Sequence, residues 1–105
     1  MILSDIAIDG STYVVQLSFR DENGDLAIPD SATWTLYNNN GEVVNSRLNV
    51  VITPLASQID IVLSGDDILF TDGNRRTLHI DSTYTSTLGS NLPLKGCVDF
   101  IINDC

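Results

Sequence analysis

Thr12-Tyr13-Val14-Val15-Gln16-Leu17-Ser18-Phe19-Arg20 is the stretch on which the fold turns. Tyr13, Val15, Leu17 and Phe19 fall on one side of a period of two, with Val14, Gln16, Ser18 and Arg20 on the other. That alternation predicts a half-buried strand. Asp21, Glu22, Asn23, Gly24 and Asp25 then turn the chain, Asn23 and Gly24 being suited to positive φ.

The same pattern recurs downstream. Ser31 to Tyr37 reads as a strand with Ala32, Trp34 and Leu36 inward, while Thr33, Thr35 and Tyr37 face out or toward a neighbour. Asn38, Asn39, Asn40 and Gly41 form the clearest hairpin turn. Short strands are expected at Glu42 to Asn45 and Leu48 to Thr53, the latter stopped by Pro54. Gln58 to Leu63 alternates again, with Ile59, Ile61 and Leu63 inward. Ser64 to Leu69 reads as one helical turn, capped by Ser64 or Asp66. Asn74 to Tyr84 is a long strand with Leu78, Ile80 and Tyr84 on one face. Leu88 to Pro93 reads as a loop, and Leu94 to Ile102 as the last strand.

Composition agrees with this reading. The chain has 105 residues, of which Val, Ile, Thr, Tyr, Phe and Trp make up 35, against 14 strong helix formers other than Leu. A helical bundle is excluded on those numbers. About seven short strands with no room for crossover helices predict one all-β domain over residues 1–105. Its expected form is a single antiparallel β-sandwich of immunoglobulin or fibronectin type, with a small barrel as the alternative.

Charge narrows the partners. Fourteen acidic residues face five basic ones, a net charge of −9 spread evenly along the chain, so phosphate backbones are repelled and nucleic acid is not an expected partner. No apolar run approaches the ~20 residues of a membrane span, so no membrane partner is expected. The N-terminus has neither the basic start nor the apolar stretch of a secretory signal, which predicts cytoplasmic synthesis. Cys97 and Cys105 are expected to be reduced thiols.

Residues able to carry chemistry are few. His79, the lone histidine, points opposite to Leu78 and Ile80, outward. Cys97 would need His79 and an orienting group to act as a nucleophile, and two cysteines with one histidine lack zinc-site spacing. Asp21, Asn23 and Asp25 match the first three positions of a calcium loop, but Leu26 and Ala32 stand where a glycine and a bidentate glutamate belong. Asp66, Asp67 and Asp72 read as capping and turn residues rather than a cation cluster. Arg75 and Arg76 read as solubilising or ion-paired. No catalytic residue, metal ligand or cofactor site is therefore expected, and the protein reads as a non-enzyme. The expected interface residues are Tyr37, beside the asparagine turn, and Phe70, after the helical turn.

Several segments resemble short acidic immunoglobulin-like proteins found among the virion structural proteins of tailed bacteriophages and prophages. The resembling stretches are Gly10 to Phe19, Asp21 to Gly24, Pro29 to Leu36, Gly41 to Asn45, Ile61 to Asp67, the strand ending at Tyr84, and Val98 to Phe100. The resemblance implies a virion-associated accessory protein that docks passively on capsid, neck or tail, as a capsid decoration protein or head–tail component. It implies other virion proteins as partners, homo-oligomers in the assembled particle, and location on the virion after synthesis in the bacterial cytoplasm. A carbohydrate-binding or adhesion module is the competing class.

Overall fold

The computed structural model describes residues 6–103. Its order is β1 (Ile6–Ile8), β2 (Thr12–Ser18), β3 (Ser31–Tyr37), β4 (Val50–Val51), β5 (Gln58–Ser64), two short 3-10 turns (Gly65–Ile68 and Phe70–Asp72), β6 (Arg75–Ser86) and β7 (Gly89–Asn103). No helix is long and apolar enough to cross a membrane. The strands form a five-stranded sheet in the order β1-β7-β6-β3-β4 and a two-stranded sheet, β2-β5.

Alternation decides which face each strand buries. Tyr13 and Val15 of β2 and Ile61 and Leu63 of β5 meet Trp34, Leu36, Leu78, Ile80, Phe100 and Ile102 of the larger sheet in one core. Tyr13 stacks on Phe100 across the two sheets, with ring centroids 4.5 Å apart and planes at 26°. Aromatic pairs at this offset add roughly 0.5–1.5 kcal/mol to the area they bury.

Four expectations are corrected. The larger sheet is mixed rather than antiparallel, because β1 pairs parallel with β7, Ile6 opposite Ile101 and Ile8 opposite Asn103. Glu42 to Asn45 is not a strand: a single bridge joins Tyr37 to Val43, and Asn45 and Ser46 adopt φ of 52° and 57°, which no strand accommodates. Of the expected strand Leu48 to Thr53, only Val50 and Val51 pair, with Trp34 and Thr33. Of Leu88 to Pro93 only Leu88 lies in a turn; Gly89 to Pro93 belong to β7, since β6 and β7 pair from Ser86 opposite Gly89 onward. Pro93 fits inside β7 because the ladder there does not need its missing N–H. The amide of Ile102 donates to Asn74 of the neighbouring chain segment, so even-numbered residues of β7 face β6 and Pro93 faces away from it.

Candidate functional site

The strand directions place the connections at two ends. Residues 9–11, 38–41 and 65–74 share one end, and residues 19–30, 52–57 and 86–89 share the other.

At the first end the asparagine turn is tied to the 3-10 region. Asn38 accepts from the amides of Asn40 (2.9 Å) and Glu42 (3.0 Å), closing the hairpin as its sequence requires. Asn39 donates to Asn74 (2.9 Å) and accepts from the Arg75 amide (2.9 Å). Under these turns lies a charged network built on two buried groups, Asp67 and Arg76, both 0% exposed. Asp67 accepts from Arg47 Nε (2.8 Å), from Asn45 (2.9 Å) and from the Ser64 amide (3.1 Å). Burial on its own would raise the Asp67 pKa. The hydrogen bonds from Arg47, Asn45 and the Ser64 amide, together with the Arg47 charge, outweigh that and hold it below its ordinary value. The 3-10 turn is thus capped at Ser64, one of the two expected residues, rather than at Asp66, in a capping box in which Asp67 reaches back to the Ser64 amide.

Of Arg75 and Arg76, read together as solubilising or ion-paired, Arg75 is exposed, but Arg76 is buried and bonds to backbone carbonyls. Its guanidinium donates to the carbonyls of Asp67 (3.0 Å), Leu69 (2.7 Å), Gly73 (3.0 Å) and Arg75 (2.8 Å). Burial pulls its pKa down, opposed by the charges of Asp72 and Asp67. A loop of short 3-10 turns leaves carbonyls without regular partners, and a planar five-donor group satisfies several at once. The sequence signal was indirect: an arginine at an inward position of β6, in step with Leu78 and Ile80.

Tyr37 and Phe70, the expected interface residues, lie at this end on separate elements. Tyr37 meets His79 edge to face (4.9 Å, 72°), and the two line an outer groove of about 340 Å³ with Asn38, Asn39, Gly41 and Thr77. Phe70 is exposed on the second 3-10 turn, its amide held by Asp9 (2.9 Å). The register does set Cys97 opposite His79, both exposed, yet among the described residues no hydrogen bond orients the imidazole. Asp66, Asp67 and Asp72 do not converge, because Asp67 is turned inward to Arg47. Asp21 uses Oδ1 for the amides of Asn23 (2.9 Å) and Asp25 (3.0 Å), a turn interaction. Among the described residues, no group of three or more His, Cys, Asp or Glu side chains is placed to hold a metal ion. Cys105 lies outside the described residues.

The second end carries what sequence reasoning missed. Leu26, Ile28 and Leu88 are 46%, 65% and 71% exposed. They are held on a pinned base: Glu22 accepts from Ser86 (2.5 Å), Asp30 accepts from Thr85 (2.6 Å), and the Asp30 amide donates to Thr83 (2.7 Å). Leu26 and Ile28 fall in a stretch without clean alternation, and Leu88 in what reads as a loop, so none registered as a surface group.

Fold and sites define an all-β protein whose mixed five-stranded sheet and two-stranded sheet share one core. Comparison with protein-family models, curated proteins and solved structures finds no match to this chain.

Proposed function

We propose that the chain is a non-catalytic docking module of immunoglobulin type, serving as an accessory component of a tailed-phage particle on capsid, neck or tail. The strand order supports the fold part of this reading. Second and fifth strands pair in one sheet while third, sixth and seventh lie side by side in the other, as in an immunoglobulin sandwich. Two departures are that β1 joins the larger sheet and that no described strand flanks β5 on its outer side.

The observation that carries the docking reading is the exposure of Leu26, Ile28 and Leu88 on a pinned loop end. Apolar side chains held rigidly in solvent lose little entropy when a partner covers them. The test is co-sedimentation of the purified protein with phage heads and tails. Binding at a fixed copy number is expected, and its absence from both would overturn the reading.

The groove at Tyr37 favours a second reading, a carbohydrate-binding module. An aromatic ring beside His79 and Thr77 offers a stacking surface with hydrogen-bonding groups. Binding on a glycan array that disappears in Tyr37→Ala is the expected sign of it.

A further inference from the structure

We infer that the loop end is built for a protein surface whose apolar centre is ringed by lysine and arginine. This rests on the docking reading and names the partner's chemistry. Residues 20–30 carry Asp21, Glu22, Asp25 and Asp30 against Arg20 alone, and Leu26 and Ile28 stand among them. Arg20 is itself turned onto the Gly24 carbonyl (2.9 Å). Glu22 and Asp30 tie this acidic loop to the β6–β7 hairpin whose turn carries Leu88. Burial, and after it the charges of Glu22 and Asp21, hold the nearby Tyr84 phenol above its ordinary pKa.

An apolar centre with an acidic rim selects by both terms. Burial of the leucine and isoleucine side chains supplies affinity, and a basic rim on the partner steers the encounter while acidic surfaces are turned away. A second copy of this chain is disfavoured by the same argument, since it would set acidic rim against acidic rim. A bare polycation is disfavoured too, because it leaves the three apolar side chains in water.

Two synthetic peptides titrated into isotope-labelled protein, followed by amide chemical shifts, test this. One alternates leucine and lysine; the other replaces each leucine by serine. The leucine–lysine peptide is expected to shift amides of residues 20–30 and 85–89, weakening as salt rises. Ile28→Ser and Leu88→Ser are each expected to lower its affinity about fivefold to tenfold. Both positions are exposed, so the fold is kept. Equal binding of the two peptides, shifts centred elsewhere, or no binding overturns the inference. Co-sedimentation of the Ile28→Ser/Leu88→Ser double variant separates the levels. If it binds particles as the parent does, this surface is wrong and docking stands; if the parent itself fails to bind, the docking reading falls.

Discussion

Arg76 is a fully buried charge, and its neighbours explain why it stays. Its guanidinium donates to the carbonyls of Asp67 and Gly73 and adds a second donor to that of Leu69, which also accepts from the Asp72 amide (3.1 Å). Arg76→Leu is expected to cost about 3–5 kcal/mol, the price of several unpaired buried acceptors. Arg76→Lys is expected to recover little, because an ammonium presents its donors from one point and not along a planar fork. Urea denaturation of the three proteins measures both. Asp67 sets a pH dependence of defined sign. Its pKa is lowered in the folded state, so it binds protons less readily than in the unfolded chain. Its contribution is complete above the ordinary carboxylate range near pH 4 and is lost as pH falls through the lowered folded value. Asp67→Asn is expected to cost about 2–4 kcal/mol at pH 7, reduced from the fully buried case because Arg47 is 39% exposed. The variant's stability should fall less steeply than the parent's below pH 4, as read from denaturation midpoints against pH.

Arg47 is shared between elements: it pairs with Asp67 below the 3-10 turn and lies 5.7 Å from the Trp34 ring centroid on β3. The asparagine turn is joined to the same region through Gly73. Gly73 has φ of 110°, and a Cβ there would come 2.7 Å from Asn39 Oδ1, the atom that accepts from the Arg75 amide. Gly73→Ala is therefore expected to destabilise by about 1–3 kcal/mol through strain and displacement of Asn39. Amide shifts at residues 37–41 check that the disturbance crosses to the turn beside Tyr37. The elements most legible in the sequence are those whose partners share the same rhythm. β2, β3, β5 and β6 alternate over seven or more residues, and their inward sets, such as Tyr13/Val15 and Leu78/Ile80, are buried or, like Leu17 and Ile59, packed against the core, while Thr35 of the opposite set is buried as well. β1 was not legible: Ile-Ala-Ile is too short to show a period, and its partners lie almost a whole chain length away at Ile101–Asn103. The early part of β7 was obscured by Pro93 and Gly96, which punctuate a sequence but are tolerated where one strand edge is not engaged. Arg76 was hidden for another reason: charge normally reads as solvated, and only the loop's orphan carbonyls show why this one is not.

At the scale of the whole molecule the uncompensated charge becomes an energy. The chain carries −9 on a body of about 48 × 27 × 20 Å. At ~0.01 M salt the screening length is about 30 Å, longer than two of those dimensions, so acids on opposite faces repel one another. At physiological salt it is about 8 Å and most of that repulsion is gone. Two ion pairs oppose the trend among the described residues. Arg47–Asp67 has a carboxylate that is 1% exposed and little affected by screening, whereas Lys95–Asp81, at 3.5 Å, is exposed on both sides and contributes little at any salt. Unfolding separates the charges, so it relieves repulsion that salt would otherwise screen. Sodium chloride raised from about 10 to 150 mM is therefore expected to stabilise the fold. If screening removes about 1 kcal/mol of repulsion, the melting temperature should rise by about 4–8 °C for a domain of this size. Calorimetry at the two concentrations reads the shift directly. A fall would mean that attractive pairs dominate the folded state, and the reading of the charge as a dispersed, self-repelling surface would then be wrong.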